Sequence, residues 1–181
     1  MLETTLWEKV VAFHGHECPG LAIGFKAVEG AASALGLAGD LNPSADEELV
    51  CVTENDACGV DAIQVLLGCT AGKSNLIFRI RGKMAFSFFV RETGAAVRLV
   101  LKPKPDPDMG RDDYLAYLLS TPAEELFDFG KPSYPLPEPA RLFASQNCAA
   151  CGESTAEFGL RIQDGKPVCL DCYKAYEREG F

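Results

Sequence analysis

Ala85-Phe-Ser-Phe-Phe-Val90 and Ala96-Val-Arg-Leu-Val-Leu101 are the two stretches that decide the fold. Both are rich in β-branched and aromatic residues, and the turn residues Arg91-Glu-Thr-Gly94 separate them. This arrangement predicts a β-hairpin. Residues 48–52 and 76–80 have a similar composition and predict two further strands.

Helical patterns flank and interrupt these strands. Apolar residues recur at helical spacing over 6–13, and a small-residue-rich pattern covers 21–35. Residues 58–67 predict a helix between two strands, and shorter helices are expected at 112–119 and 122–127. The prolines of the stretch after Leu101 are expected to end the sheet, because proline cannot donate to a strand ladder. Together these elements predict an α+β fold, a mixed β-sheet flanked by helices.

Composition places the chain among soluble globular proteins. Its 181 residues are 48% hydrophobic and 24% charged, with a formal net charge of −9. Nucleic acid is therefore not an expected partner, because phosphate binding depends on Lys and Arg. No apolar run reaches the ~20 residues of a membrane span, and the first residues lack the features of a signal peptide. We therefore expect a cytoplasmic protein, without membrane contact, whose eight cysteines stay reduced.

The cysteines divide the chain into two parts. Four lie in the first half and four in the last quarter, and between them residues 131–139 hold four of the eleven prolines. So many prolines favour an extended, semi-rigid spacer. The sequence thus predicts a core domain at 1–130, a Pro-rich linker at 131–140 and a small domain at 141–181.

The C-terminal cysteines have the spacing of a zinc site. Cys148-Ala-Ala-Cys151 and Cys169-Leu-Asp-Cys172 are separated by 17 residues, which is typical of a closed, tetrahedral, four-cysteine zinc finger. Asp164-Gly165 predicts a hairpin turn between the pairs, and a helix is expected over 171–179. Two disulfides or a redox pair are the alternative. The segment after residue 140 carries a net charge of only −1, which favours protein contact over nucleic-acid binding.

Both histidines fall in the pentad His14-Gly-His-Glu-Cys18, just before a predicted helix. Cys18 is expected at the helix N-cap, where backbone amides lower the pKa of a thiol, and Cys58 has a similar setting. The predicted ligands of a transition metal with an open position are His14, His16, Cys18 and Cys58. The candidate catalytic residues are the thiols of Cys18 and Cys58 and the carboxylates of Asp56 and Asp61, of which the carboxylates would move protons. The alternative is that these are caps, surface groups and small buried residues.

A second glycine-rich stretch, Gly68-Cys-Thr-Ala-Gly-Lys-Ser74, superficially suggests phosphate binding. It has three residues between its glycines where a phosphate loop has four, and it leaves a helix for a strand. Nucleotide binding is therefore not expected. Cys69 is a candidate to approach the pentad and Lys73 to neutralise an anionic cofactor, the alternative being a helix C-cap turn.

Three motifs together resemble one known family. Phe13-His-Gly-His-Glu-Cys-Pro-Gly20, Glu54-Asn-Asp-Ala-Cys-Gly-Val-Asp-Ala-Ile-Gln64 and Gly68-Cys-Thr-Ala-Gly-Lys-Ser-Asn-Leu76 are similar to the motifs of the FmdE family, named after the formylmethanofuran dehydrogenase of methane metabolism. The resemblance implies a somewhat thioredoxin-like α+β core, often dimeric, with a C-terminal zinc finger in some members. It implies a site at the residues His14, His16, Cys18, Cys58 and Cys69. Ser74 departs mildly from the pattern, where glycine is more common.

The resemblance and the residues give one leading hypothesis. The chain is expected to be a homodimeric metal-binding protein of anaerobic one-carbon or redox metabolism, with structural Zn²⁺ in the tail and a second transition-metal ion in the core. Whether it is an enzyme is left open. The alternatives are an adaptor subunit that docks an oxidoreductase through its zinc finger, and a thiol redox protein that uses Cys18 and Cys58.

Overall fold

The computed structural model describes residues 4–37 and 43–178. The chain divides into two compact units, Met1–Pro139 and Ala140–Phe181. No helix in the described ranges is both long and apolar enough to cross a membrane.

In the described residues of the first unit, five helices form one layer. They are α1 (Thr4–His14), α2 (Pro19–Leu35), α3 (Gly59–Leu67), α4 (Arg111–Ser120) and α5 (Ala123–Leu126). Most of α2 is buried, because its small side chains let the other elements pack closely around it. It ends at Gly36, whose φ of 70° lets its N–H reach the carbonyls of Ala32 and Ser33.

The sheet of this unit is mixed. Its strands are β1 (Leu49–Thr53), β2 (Leu76–Phe78), β3 (Ala85–Val90), β4 (Ala96–Leu101) and β5 (Phe127–Gly130), in the order β2-β1-β3-β4-β5. Only β1 and β2 are parallel, and the other pairs are antiparallel. The predicted β3–β4 hairpin and the α+β class with a mixed sheet are confirmed. The description of the core as thioredoxin-like stays a prediction.

The sequence predicted that the sheet ends after β4, and this prediction is wrong, because a fifth strand follows. The chain leaves through the prolines and returns after α5 as β5, which pairs Phe127 with Leu101 and Gly130 with Arg98. The strand was missed because only Phe127 of its four residues is buried. Such an edge strand lacks the alternation by which strands are recognised.

The two faces of the sheet are covered differently. One face packs against the helices through a core that includes Phe86, Phe88 and Leu99. On the other face, Tyr134 and Leu136 cover a smaller cluster of Val50, Val52 and Phe89. The stretch 131–139, predicted as a spacer, is therefore extended but packed. We call it the back strap.

Two hydrogen bonds hold the back strap to the sheet. The Tyr134 hydroxyl donates to Ser87 Oγ at 2.9 Å, and Arg91 Nη1 donates to the Pro137 carbonyl at 2.8 Å. The prolines keep the strap extended while an aromatic and an aliphatic side chain between them reach the sheet.

The regular structure in the described part of the second unit is two small hairpins. They are β6 (Ser145–Asn147) with β7 (Ser154–Ala156), and β8 (Leu160–Gln163) with β9 (Lys166–Cys169), joined by a 3₁₀ turn at Glu157–Gly159. The predicted turn at Asp164-Gly165 is confirmed, since both residues have positive φ, 51° and 76°. The predicted helix at 171–179 is wrong for its described part, which is irregular to residue 178. Its side chains are largely exposed, and a short helix without a packed face is not stable.

Candidate metal centres

The pentad forms the turn between α1 and α2. Helix α1 ends at His14, and Gly15, at φ 92°, donates its N–H to the Val11 carbonyl at 2.7 Å. The chain then extends to Cys18, the N-cap of α2, whose Sγ accepts a hydrogen bond from the Leu21 N–H at 3.3 Å. The predicted N-cap is confirmed, and it fixes the Cys18 sulfur at the positive end of a 17-residue helix.

Glycines bring a second cysteine to the same place. A Cβ on Gly24 of α2 would lie 2.0 Å from the Gly59 carbonyl oxygen at the start of α3. A Cβ on Gly20 would lie 3.2 Å from the Cys58 Cβ. Only glycine permits so close an approach of the two backbones, and this approach places Cys58 beside Cys18.

Three donor atoms converge there. One nitrogen of His14 and the sulfurs of Cys18 and Cys58 all lie within 4.8 Å of one another, and His14 Nε2 is 3.9 Å from Cys18 Sγ. Tetrahedral zinc with ordinary bond lengths separates a nitrogen and a sulfur ligand by about 3.6 Å. The spacing and the donor types therefore fit a metal centre of two thiolates and one imidazole, which leaves one position open.

Asp61 orients the imidazole of His14. His14 Nδ1 donates to Asp61 Oδ2 at 2.7 Å, and Gln64 Nε2 donates to Asp61 Oδ1 at 3.0 Å. Because a carboxylate only accepts hydrogen bonds, Nδ1 carries a proton, and in the neutral ring the lone pair is then on Nε2, the nitrogen toward Cys18. Such a carboxylate behind a ligating histidine is a usual partner of metal sites. The sequence predicted a proton-transfer role for Asp61, with an ordinary polar position on the helix face as the alternative, and it assigned no role in the site to Gln64.

The pKa of the Cys58 thiol is raised, whereas the sequence predicted a lowered one. Its backbone is helical, with φ −46° and ψ −32°, and its side chain makes no capping hydrogen bond. Burial raises the pKa of Cys58, and the nearby Cys18 thiol raises it further. Cys58 is thus not activated by the helix terminus. A bound cation, however, deprotonates a coordinating thiol.

Two predicted residues lie at the edge of this group. His16 is exposed, with its ring centroid 4.6 Å from that of His14, and is not among the three converging donors. Asp56 is exposed in the turn between β1 and α3. The carboxylates of Glu17 and Glu54, which belong to the same two motifs, accept hydrogen bonds from Trp7 Nε1 and from Arg98 Nε.

The structure places Cys69 and Lys73 away from the three donors. Cys69 is fully buried, and its thiol donates to the Leu49 carbonyl at the start of β1, whereas Cys58 follows the end of that strand. Burial raises the pKa of Cys69 to about 12. Lys73 Nζ donates to the Ser44 carbonyl. The surrounding contacts are structural, which agrees with the alternative of a helix C-cap turn at Gly68.

Asn75 organises that turn. Its side-chain amide is fully buried and donates to the carbonyls of Asp46 and Leu49, at 2.9 and 3.0 Å. Its Oδ1 accepts from the Thr70 N–H at 2.8 Å. The third sequence motif thus ties the segment before β1 to the segment before β2.

The four C-terminal cysteines converge as predicted. Their sulfurs lie within 4.8 Å of one another, and Cys151 Sγ is 3.9 Å from Cys169 Sγ, close to the about 3.8 Å of a tetrahedral thiolate site. Backbone hydrogen bonds from Cys151 and Cys169 lower the pKa of Cys148 to about 6. Hydrogen bonding to Cys169 raises the pKa of Cys172 to about 12. Four sulfurs complete a tetrahedral site, so this candidate site is closed.

A family model matches more than half of the chain. Residues 13–128 match FmdE, described as "Molybdenum formylmethanofuran dehydrogenase operon". The chain belongs to the FmdE family. The match includes all three donors of the core site and ends before the C-terminal unit, so the four-cysteine cluster lies outside it.

One curated protein and one solved structure are similar to this FmdE chain. A "Probable S-adenosyl-L-methionine-binding protein" of Archaeoglobus fulgidus is 27% identical over 96% of this chain and 54% of its own length. The chain thus spans about half the length of that curated relative. A tungsten formylmethanofuran dehydrogenase FmdE-like protein from Syntrophus aciditrophicus shares the fold, with a TM-score of 0.65 and 24% identity over 91% of this chain and 88% of that one.

Proposed function

We propose that the FmdE core binds a transition-metal ion through His14 Nε2 and the sulfurs of Cys18 and Cys58. The observation that carries this proposal is the convergence of three donors from two separate motifs on one point. An ion there supplies Lewis acidity at its open position, where a substrate oxygen can be polarised. Family membership supports a role in anaerobic one-carbon or redox metabolism. We further propose that the protein is a cytoplasmic homodimer.

Each residue of the site has a separate task in this proposal. Asp61 holds the Nδ1 proton of His14 and keeps Nε2 free to bind. Cys18, whose sulfur accepts an amide hydrogen bond, supplies a sulfur ligand at the helix terminus. Cys58 is protonated in the absence of a cation and must lose its proton on binding, so metal uptake releases protons.

The C-terminal unit is proposed to hold a structural Zn²⁺ ion. Its buried hydrophobic cluster consists of Val168 and two of the cysteines, with Cys172 packed against it. So small a core cannot stabilise an independent unit. Metal binding supplies the missing free energy, as in other small zinc domains.

Elemental analysis of the full chain, purified anaerobically, tests the core site. The parent is expected to carry two metal equivalents and Cys18→Ser one. Cys51→Ala, a change at a buried cysteine outside both clusters, is the matched control and should keep two. A Cys18→Ser chain that still holds two equivalents would contradict the core site.

An adaptor role is the second candidate, and one observation favours it. The C-terminal unit exposes several large apolar side chains, among them Phe158, Ile162 and Tyr176, which are 66%, 70% and 86% exposed. Such side chains are typical of protein contacts. If the chain docks an oxidoreductase, Phe158→Ser with Ile162→Ser should abolish co-purification of that enzyme and leave both metal equivalents in place. Unchanged co-purification would contradict the adaptor role.

A further inference from the structure

Positive charge is concentrated in one part of this acidic chain. Residues 62–91 contain five Lys or Arg and no Asp or Glu. With a total net charge of −9, the rest of the chain carries −14. Three of the five cations, Arg79, Arg81 and Lys83, alternate within the loop between β2 and β3.

Large apolar side chains are exposed in the same loop. Phe78 and Ile80 are each 47% exposed and Met84 is 37% exposed. Arg81 and Lys83 are exposed beside them, and Arg79 is half-buried over the ring of Tyr134. We call residues 78–84 the basic-apolar loop.

The backbone of this loop is held firmly. The N–H groups of Arg79 and Arg81 donate to the carbonyls of Thr53 and Glu54, at 2.9 and 2.8 Å. Asn55 Nδ2 donates to the Lys83 carbonyl at 3.0 Å. Arg81 Nη1 also donates to the Ile80 carbonyl at 2.8 Å. These bonds order the loop before any partner binds, while its apolar side chains stay exposed. An ordered surface loses less entropy on binding.

We propose that the basic-apolar loop is a docking surface for a protein partner whose contact region combines carboxylates with aliphatic side chains. Cations alone, directly after an edge strand such as β2, would serve to prevent strand pairing between molecules. That role does not explain three large apolar side chains exposed among them. Alternating charge and apolar contact is complementary to an acidic protein surface.

The charge of the whole chain favours a protein over other anions. Nucleic acid and anionic lipid membranes carry extended negative charge, which would also meet the −14 carried outside residues 62–91. A protein presents a local acidic patch, and its attraction to the loop is limited to about a Debye length. A local partner is therefore favoured over an extended polyanion.

The loop lies beside the segment that leads to the core site. Its hydrogen-bond partners Glu54 and Asn55 precede Cys58 by only a few residues. A partner on the loop would therefore approach the side of the molecule where the three donors meet. The docking surface shares no residue with those donors, so its test and the metal-content test can fail separately.

Fluorescence anisotropy with defined probes tests the proposal on the full chain. The probe is a labelled peptide of alternating Glu and Leu pairs, compared with a Glu and Ser peptide, a labelled single-stranded DNA and phosphatidylserine vesicles. The Glu and Leu peptide is expected to bind most tightly and to weaken with added salt. Arg81→Glu with Lys83→Glu, and separately Phe78→Ser with Ile80→Ser, should each raise its Kd about tenfold or more.

A matched control separates the loop from general charge effects. Lys9→Glu with Lys174→Glu reverses two exposed lysines outside the loop and should leave the peptide Kd unchanged. Metal content and thermal unfolding should match the parent in every variant, because the changed side chains are exposed or half-buried. Equal weakening in the control, or tighter binding of DNA or vesicles than of the peptide, would overturn the proposal. Failure of the parent to bind the Glu and Leu peptide would also overturn it, and if the Arg81→Glu with Lys83→Glu variant is then a monomer where sedimentation shows a parental dimer, the occupant of the loop is a second copy.

Discussion

Gly24→Ala provides a direct test of how the fold assembles the core site. The added Cβ would lie 2.0 Å from the Gly59 carbonyl oxygen, whereas ordinary contact begins at 3.4 Å, so α2 and α3 must separate by about 1.4 Å. The obstructing atoms are backbone and cannot rotate away. Metal sites tolerate ligand shifts of only about 0.2 Å. Cys58 should therefore leave the coordination distance of Cys18 and His14.

The stability cost of Gly24→Ala can be bounded as well. Overpacking a rigid contact costs about 1–3 kcal/mol, and alanine recovers about 1 kcal/mol in helix propensity. We expect a net loss of up to about 2 kcal/mol in the free energy of unfolding of the first unit. Elemental analysis and chelator competition should show one metal equivalent lost and the C-terminal one retained.

Gly72→Ala is the matched control for this experiment. Its Cβ meets no atom within 4 Å and its φ lies outside the left-handed region. It should keep both metal equivalents and the parental unfolding midpoint. If Gly24→Ala holds two equivalents with the parental resistance to chelator, the close approach of α2 and α3 does not build the site.

Three further predictions concern single contacts. Asp61→Asn should weaken metal binding in the core about 10–100-fold without changing the circular dichroism, because it removes the charge that orients His14; an unchanged chelator competition curve would contradict this. Cys69→Ala should keep both metal equivalents, because the thiol donates to a backbone carbonyl at the end of β1 that lies away from Cys58; loss of one equivalent would return Cys69 to the site. Arg98 holds the pKa of Glu54 below its ordinary value of 4.5, so the ion pair stabilises the fold above that pH and ceases to do so as the pH falls through the lowered pKa. Denaturation of Glu54→Gln should accordingly show its largest loss of stability at neutral pH and a shrinking loss in acid, and a deficit that stays constant with pH would argue against the pair.

The sequence predicted those parts of the molecule whose signal is local. The β3–β4 hairpin follows from two aromatic and β-branched stretches around a turn, and the N-cap at Cys18 follows from the proline after it. The four-cysteine cluster follows from its spacing. In each case the residues that make the contact are close in sequence or have a spacing that is typical of a known motif.

The remaining parts depend on contacts between distant segments. Cys58 and Cys69 both lie next to a glycine at a helix end, yet only Cys58 meets Cys18. What separates them is the approach of Gly24 to Gly59, and a glycine in a helix does not reveal which backbone it will face. Strand β5 was missed because it forms by pairing with β4, a separate segment of the chain. Its own sequence lacks the burial pattern by which strands are recognised.

The back strap determines where this protein can be joined to others. It belongs to the first unit although it looks like a connector, and a gene fusion that replaced it would uncover Val50, Val52 and Phe89 on the sheet. Natural or engineered exchange of the tail should therefore tolerate junctions after Pro139 and fail at those near residue 130. The unit that can be exchanged as a whole is therefore longer than the predicted core domain by the length of the back strap.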